Sequence, residues 1–228
     1  MARLVLLHSP LLGPSSWQAA AAALRALGQE VETPAWPSLN SLHDGYYAPM
    51  AAHVAEQIGP GGPPPILVAH SGAGALLPSV AQALPMIRGA IFVDALLPHP
   101  GRSWFDTVPD NLRASLRSGV QAGLLPSWHD WWPPGALERL VPDAAARRAL
   151  VDELEPIPAA YFEAVAPPGE APQSSAYLKL SDAYEEEAHL ANRLGWPLVR
   201  LPLQHLAPIS HPSAVAQALT GLAERVAA

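Results

Sequence analysis

Short apolar runs alternate with amphipathic stretches over the first hundred residues. Residues 4–7, 66–69 and 89–93 are apolar at every position, which is typical of strands that are covered on both faces. Residues 17–27 and 47–58 instead carry apolar side chains at helical spacing, and a glycine follows each stretch, where it favours a helix end. This order of strand, helix and strand predicts a parallel sheet with helices on both of its faces.

Weaker signals fill the gaps between these elements. Residues 30–33 are a weaker strand candidate, and Asp44 can cap the helix that follows them. Residues 72–84 predict a further helix, which Pro78 should bend because proline removes one hydrogen bond of the helical ladder.

The alternation resumes near the C-terminus. The pattern predicts strands at 177–180 and 198–201, a helix at 182–194 between them, and a last helix after Pro212. We therefore expect an α/β fold, a three-layer α/β/α sandwich around a mainly parallel sheet of about six strands.

Residues 98–173 differ from the sequence on either side of them. They contain 12 of the 27 prolines and four of the seven tryptophans, and their helical patterns come only in pieces. A structureless connection of this length is uncommon inside a compact domain. We therefore predict a mainly helical lid at 98–173, inserted into a core formed by residues 1–97 and 174–228.

Composition and charge narrow the classes of function. The formal net charge is −7 without a basic cluster, so nucleic acid and anionic membrane surfaces are poor partners. The absence of cysteine excludes disulfides, thiolate metal sites and a cysteine nucleophile. No apolar run approaches the roughly 18 residues needed to span a membrane, and no histidine pair has metal-ligand spacing next to a carboxylate. We expect a cytoplasmic protein without metal or cofactor, acting on a small-molecule substrate as a monomer or a homodimer.

A serine stands where the strand candidate at 66–69 meets a predicted helix. Residues 66–69 run directly into His70 and Ser71, and the positions two before and two after the serine are the small residues Ala69 and Ala73. A nucleophile elbow requires this arrangement, because its turn is too tight for larger side chains. The N–H of Gly72 would then lie at the positive end of a helix, where it could stabilise an oxyanion. The alternative is that Ser71 only caps the helix.

Here the sequence resembles the α/β-hydrolase fold superfamily of the serine hydrolase type, with a minimal core and a helical lid. The elbow is present in the relaxed form A-H-S-G-A. His205 lies seven residues before Pro212 and is similar to the histidine of the family's terminal element, with Gln204 where glycine usually stands. The resemblance implies that His205 takes the proton of Ser71. His211 is an alternative, but it adjoins Pro212 at a helix start, and we interpret His70 as a packing residue.

The first strand and the loop after it resemble the family's oxyanion strand. In the family, the backbone after a His-Gly pair supplies a second oxyanion donor. Here Ser9 replaces the glycine, and Pro10 stands at the donor position although proline has no N–H. The resemblance therefore implies that another group substitutes, either the N–H of Leu11 in a reshaped loop or the hydroxyl of Ser9.

Two aspartates are candidates for the acid of a triad, and the resemblance accommodates both. Asp94 closes the strand at 89–93, and Asp182 follows the strand at 177–180, although the usual spacing there falls nearer Tyr184. Asp182 also has a structural explanation, because it resembles the start of a capping box. A carboxylate at the end of an apolar strand needs a partner to justify its burial, so we favour Asp94 and keep Asp182 as the alternative.

The resemblance implies a serine hydrolase that cleaves a small or medium, partly apolar ester, thioester or lactone through an acyl-enzyme. The tryptophans at 98–173 would both pack the lid and line an apolar pocket. The altered oxyanion strand favours an alternative within the superfamily, namely a lyase, a C–C bond hydrolase or a biosynthetic cyclisation catalyst. A second alternative is a non-catalytic ligand-binding member.

Overall fold

A six-stranded sheet forms the centre of the computed structural model, which describes residues 2–227. The strands of this part of the chain are β1 (Arg3–Leu7), β2 (Glu30–Glu32), β3 (Ile66–His70), β4 (Gly89–Val93), β5 (Leu124–Leu125), β6 (Ile157–Pro158), β7 (Ser175–Lys179) and β8 (Leu198–Arg200). The sheet has the order β2-β1-β3-β4-β7-β8, and each neighbouring pair in it is parallel. The predicted sheet is therefore confirmed.

The central strands owe their position to their apolar sequences. Every residue of β1, β3 and β4 is buried, as continuous apolar runs predict for strands that are covered on both faces. The carboxyl ends of these parallel strands meet at one edge of the sheet, where ligands bind in open α/β folds.

Helices cover both faces of the sheet. The helices of the described residues are α1 (Ser15–Ala26), α2 (Tyr47–Ile58), α3 (Ala73–Ala83), α4 (Asp110–Ser118), α5 (Ala136–Leu140), α6 (Ala144–Asp152), α7 (Ala159–Glu163), α8 (Glu185–Arg193), α9 (Ala207–Ser210) and α10 (Pro212–Ala227). Side chains of α1 and α10 join the apolar cluster on one face of the sheet. Those of α2, α3 and α8 join the cluster on the other.

Two predicted helix starts differ from the structure. Asp44 does not cap α2, because the helix begins only at Tyr47 and Gly45, with a φ of +98°, turns the chain before it. The helix predicted at 182–194 begins as a 3₁₀ turn at Asp182–Tyr184 and becomes α-helical at Glu185. The second change places a 3₁₀ turn directly after the end of β7.

The chain leaves the sheet after β4 and returns to it at β7. This excursion, which we call the insert (residues 98–173), contains α4 to α7 and the short antiparallel pair of β5 with β6. Its buried apolar side chains, such as Phe105 and Phe162, form one cluster with the core residues Leu12, Leu76 and Leu206. The insert therefore packs on the core near the carboxyl ends of the strands, while its role as a lid stays a prediction.

The lengths and apolar character of the helices decide whether one of them could span a membrane. Among residues 2–227, no helix combines the length and the apolar character needed to cross a bilayer.

Candidate active site

Ser71 lies on a sharp turn between β3 and α3. Its φ is +57°, a backbone conformation that residues other than glycine rarely adopt. His70 ends β3, and Gly72 is the residue that caps α3. The turn brings the hydroxyl of Ser71 above the carboxyl end of the sheet, with the first amides of a helix beside it.

The turn at Ser71 is hydrogen-bonded to the loop that follows β4. The N–H of Ser71 donates to the carbonyl of Val93 at 3.3 Å, and the N–H of Leu96 donates to the carbonyl of Ser71 at 3.1 Å. Asp94, between these two residues, also has a positive φ, of +44°. A Cβ at position 74 would collide with the carbonyl oxygen of Leu96, so Gly74 is required for this close approach.

Asp94, His205 and Ser71 form a continuous chain of hydrogen bonds. His205 Nδ1 lies 2.8 Å from Asp94 Oδ2, and His205 Nε2 lies 3.1 Å from Ser71 Oγ. Because an ionised carboxylate can only accept hydrogen bonds, Nδ1 carries a proton and donates a hydrogen bond to Asp94. In the neutral imidazole, Nε2 is then free to accept the hydrogen of the Ser71 hydroxyl.

Asp94 is fully buried and is satisfied by several donors. Its Oδ1 accepts the N–H groups of Leu180 and Ser181 at 2.8 and 2.9 Å. Its Oδ2 accepts the Ser181 hydroxyl at 2.5 Å in addition to His205. Burial acts to raise the pKa of Asp94, but the hydrogen bonds from His205 and Ser181 outweigh it and hold the pKa below the usual value. The carboxylate therefore stays charged against the imidazole.

The alternative residues lie outside this hydrogen-bonded chain. The side chain of Asp182 is fully exposed, and its carboxylate pairs with Lys179 Nζ at 2.9 Å. It does not reach His205, and its side chain caps no helix. His211 is exposed, and its Nδ1 contacts the hydroxyl of Ser210 at 3.0 Å.

His205 is enclosed by two aromatic rings. His70 stacks on it with ring centroids 4.5 Å apart, and Tyr184 stacks on it at 5.1 Å with the ring planes only 11° apart. Both rings therefore pack against the imidazole of His205 in stacked geometry. Tyr184 also places its hydroxyl 3.1 Å from Ser71 Oγ.

His70 does more than the packing role that the sequence predicts. Its Nε2–H donates to the backbone carbonyl of His205 at 3.0 Å, and the edge of Trp17 covers it at 5.8 Å. Burial lowers the pKa of His70 to about 3, and the nearby charge of His205 acts in the same direction. His70 is therefore a neutral support for the His205 loop.

Tyr184 is the site residue that sequence reasoning missed as a functional group. The one available signal was spacing, because the family's usual acid position after this strand falls nearer Tyr184 than Asp182. A phenol cannot serve as that acid, so this spacing alone does not predict a role for Tyr184. The contact with Ser71 spans 113 residues of sequence, and no local pattern encodes it.

The turn at Ser9 and Pro10 lies against Gly72. A Cβ built on Gly72 would be 3.4 Å from Pro10 Cδ and 3.8 Å from Ser9 Oγ. Ser9 is buried, and its Oγ accepts the N–H of Leu11 at 3.3 Å. The structure therefore brings Ser9 and Pro10 next to the turn that carries Ser71, while Leu11 is hydrogen-bonded to Ser9.

His8 forms hydrogen bonds to the backbone of the same turn and of Trp36. Its Nδ1–H donates to the carbonyl of Ser9 at 2.8 Å, and its Nε2 accepts the N–H of Trp36 at 3.4 Å. The indole N–H of Trp36 donates to the carbonyl of His8 at 2.7 Å. Burial lowers the pKa of His8 to about 4, although hydrogen bonds to the backbone partly oppose the shift.

Gln204 joins the histidine loop to the insert. Its Nε2 donates to the carbonyl of Leu140 at 2.9 Å and to the hydroxyl of Ser210 at 2.5 Å, while its Oε1 accepts the N–H of Leu206 at 2.7 Å. A glycine at this position, as in the family pattern, could make none of these side-chain contacts.

Other features of residues 2–227 do not suggest a second chemistry. No cluster of three or more histidine, aspartate or glutamate side chains in this part of the chain could hold a metal ion. A cavity of about 330 Å³ is bordered by Pro10, Leu11 and Trp36 and by insert residues between 152 and 157, but Ser71 and His205 do not line it.

Comparison with known proteins bears on the fold and the family. The model of the "Alpha/beta hydrolase family" matches residues 4–218. The sequence has no significant match among curated proteins. Three solved structures illustrate the likeness of fold. An extracellular alpha/beta-hydrolase from a Paenibacillus species is 20% identical with a TM-score of 0.73, covering 97% of this chain and 99% of its own.

A pyrethroid hydrolase from Sphingobium faniae is 18% identical with a TM-score of 0.69, covering 98% of this chain and 97% of its own. Polyneuridine aldehyde esterase is 15% identical with a TM-score of 0.72, covering 97% of this chain and 99% of its own. At these identities the likeness shows a shared fold over nearly the whole chain.

Proposed function

Because this chain belongs to the alpha/beta hydrolase family, we propose that it is a serine hydrolase whose catalytic residues are Ser71, His205 and Asp94. The observation that carries the proposal is the unbroken chain of hydrogen bonds from Asp94 through His205 to Ser71. Similarity to a pyrethroid hydrolase and an esterase in fold supports the same class of reaction. Residue types, order and contacts match the roles of nucleophile, base and orienting acid.

Acyl transfer would proceed in two halves. His205 Nε2 takes the proton of Ser71 as Oγ bonds to the substrate carbonyl, and His205 then returns that proton to the leaving group. In the second half, His205 takes a proton from water, the water oxygen attacks the acyl-enzyme, and the proton passes to Ser71 Oγ. Asp94 keeps Nδ1 protonated throughout, which leaves Nε2 available for both transfers.

The oxyanion of each tetrahedral intermediate needs donors from the protein. Gly72 N–H, at the start of α3, is the first. For the second, the contact between Leu11 N–H and Ser9 Oγ favours the Ser9 hydroxyl, because the Leu11 donor is already engaged. The hydrogen of the Ser9 hydroxyl is then directed to the oxyanion in place of the N–H that Pro10 lacks.

The insert supports an apolar substrate. Trp104, Phe105, Trp131 and Phe162 contact one another with ring centroids between 4.8 and 5.9 Å apart. Their cluster includes Leu206, the residue that follows His205. This apolar packing against the loop that carries His205 supports a small or medium ester, thioester or lactone with an apolar portion as the substrate, and the insert would act as its lid.

Labelling with a fluorophosphonate probe tests the proposal without knowledge of the substrate. We expect the wild-type protein to be labelled at Ser71, and we expect Ser71→Ala to abolish labelling. Ser115→Ala, which changes an exposed serine of α4, is the matched control and should label as the wild type does. A wild-type protein that is not labelled, or label at another serine, would contradict the proposal.

Pro10 favours one alternative, a family member that uses the same residues for a lyase, C–C bond cleavage or cyclisation reaction. Loss of a backbone oxyanion donor is less costly for a reaction that develops little charge on a carbonyl oxygen. Turnover of p-nitrophenyl acetate and butyrate separates the two: fast turnover that depends on Ser71 supports hydrolysis. Labelling without turnover of either ester favours the alternative.

A further inference from the structure

We propose that Tyr184 is a fourth catalytic residue, whose phenolic hydroxyl donates a hydrogen bond to Ser71 Oγ while this oxygen carries negative charge. The proposal rests on the proposed serine hydrolase function, and it assigns a role to a residue outside the triad and the oxyanion loop. Three independent features carry it: the hydrogen-bond directions at Ser71, the protonation of the phenol, and the stacking of its ring on His205.

The direction of each hydrogen bond at Ser71 follows from counting hydrogens. His205 Nδ1 donates to Asp94, so in the neutral ring Nε2 has no hydrogen and accepts that of Ser71. Ser71 has no second hydrogen to offer. The contact of 3.1 Å between Ser71 Oγ and Tyr184 Oη must therefore be a donation from Tyr184.

The environment of Tyr184 keeps its hydroxyl protonated. Burial raises the pKa of Tyr184 above the ordinary range of a phenol, and the negative charges of Asp94 and Glu187 add to this shift. The hydrogen bond to Ser71 lowers the pKa of Tyr184, but by less than burial raises it. The phenol is thus a donor at any pH where the enzyme would work, and it does not compete with His205 as a base.

The ring of Tyr184 fixes where that hydroxyl points. It lies nearly parallel to the imidazole of His205, with 11° between the planes, and His70 also stacks on that imidazole. Rotation of His205 out of line with Ser71 would require one of the two stacked rings to move. One side chain therefore both confines the base and contacts the nucleophile.

These contacts define what Tyr184 does during acyl transfer. As the Ser71 proton moves to His205 Nε2, negative charge develops on Oγ, and the Tyr184 hydroxyl stabilises it while keeping its own proton. The bond from Oγ to the carbonyl carbon then forms as the carbonyl π bond breaks. When the tetrahedral intermediate formed by water attack on the acyl-enzyme collapses, the carbonyl π bond re-forms, the bond from the carbon to Oγ breaks, and charge returns to Oγ with the same donor in place. This donor adds to a site from which Pro10 has removed one backbone N–H.

Tyr184→Phe isolates the hydroxyl, because phenylalanine keeps the stacked ring. We expect the second-order rate of fluorophosphonate labelling to fall by about 10- to 100-fold, the range for a hydrogen bond to a charged group. The midpoint of the pH–rate profile should not move, because the base is still His205. Tyr184→Leu, which removes the ring as well, should be slower than Tyr184→Phe. Tyr46→Phe is the matched control, since its ring packs edge-on against Tyr161, and it should label at the wild-type rate.

The outcomes separate this proposal from the proposed function. If the wild type is labelled at Ser71 but Tyr184→Phe labels as fast, the hydroxyl has no role and only this inference is overturned. If the wild type is not labelled, the serine hydrolase proposal fails and this inference fails with it. Thermal unfolding of each variant verifies that a slower rate does not reflect a misfolded protein.

A crystal structure of the phosphonylated wild-type protein provides a second measurement that needs no variant. We expect Tyr184 Oη within hydrogen-bond distance of Ser71 Oγ or of the phosphonyl oxygen. A Tyr184 side chain turned away from both oxygens would overturn the proposal.

Discussion

The sheet and the insert use aromatic and polar residues in opposite ways. At the sheet, the polar residues Ser71, Asp94 and His205 lie at strand ends and in the following loops, each held by hydrogen bonds to backbone or to one another. In the insert, the large rings pack mainly against other rings, as Phe162 does against Trp104 and three neighbours. The side chains of the proposed active site thus lie at the sheet, whereas the insert is packed mainly through apolar rings.

The two regions also differ in how firmly they specify their own structure. The central strands are buried along their whole length, and each pairs with its neighbours in a defined parallel register over four or five residues. The insert has a strand pair of only two residues and helices of five to nine residues. Such short elements depend on the cluster that they share with the core.

The largest effect is expected at the acid of the core. In Asp94→Asn, the amide would present an N–H to His205 Nδ1 and favour the wrong tautomer, so kcat should fall by about 10⁴-fold. Ester turnover by the purified variant measures this. Asp182→Asn, at an exposed position, is the control and should retain wild-type kcat. Equal losses in the two variants would contradict the assignment of Asp94.

The next effect tests whether the insert is a separate unit. Phe162 is fully buried, and Phe162→Ala should lower the free energy of unfolding by about 3–5 kcal/mol. Because its cluster includes Leu12, Leu76 and Leu206 of the core, unfolding in urea should remain a single transition. Leu112→Ala, at a residue that is 41% exposed, should change stability little. A separate early transition of the insert would contradict the claim that its short elements depend on the cluster shared with the core.

A smaller effect on rate is expected at the oxyanion loop. Ser9→Ala removes the proposed side-chain donor, and loss of one such donor lowers kcat by about 10²–10³-fold. Ser118→Ala, at an exposed position of α4, is the control. Unchanged kcat in Ser9→Ala would return the donor role to Leu11 N–H.

The smallest expected effect is the pH dependence of folding stability that arises from the buried His8. His8 has a pKa of about 4 in the folded protein, against 6.5 for an ordinary histidine. As pH falls below 6.5, the unfolded chain therefore takes up a proton that the folded protein does not, and stability is lost until pH approaches 4. Between pH 7 and 4.5, this histidine should account for a loss of about 2 kcal/mol.

Urea unfolding at the two pH values measures this loss. His8→Gln should show a smaller decrease in stability than the wild type, whereas His53→Gln, at an exposed position of α2, should not. An equal decrease in all three proteins would show that His8 ionises freely in the folded state.

The sequence predicted the fold well because its signals were local. Continuous apolar runs marked β1, β3 and β4, and the small residues around Ser71 marked the turn after β3. The spacing from His205 to Pro212 marked the histidine loop. Each of these signals depends on neighbours in the chain, and burial alone was enough to convert them into strands and turns.

The rest of the site depends on contacts between distant residues. Asp94 and Asp182 follow neighbouring strands, so sequence left both open, and only the loop conformation directs Asp94 rather than Asp182 toward His205. His70 and Tyr184 were undervalued for the same reason. Their partners lie 135 and 113 residues away, beyond the reach of any periodic pattern.

The backbone hydrogen bonds between the turn at Ser71 and the loop at Asp94 limit the freedom of this site. They join the chain just after two adjacent strands, so strand pairing positions two of the three proposed triad residues before any side chain is oriented. His205 instead comes from a loop that follows the last strand, so the alignment of the proposed triad depends on how that loop places one imidazole. Evolution or engineering could therefore retune this enzyme through that single loop, while the nucleophile and the acid stay in a fixed relative position.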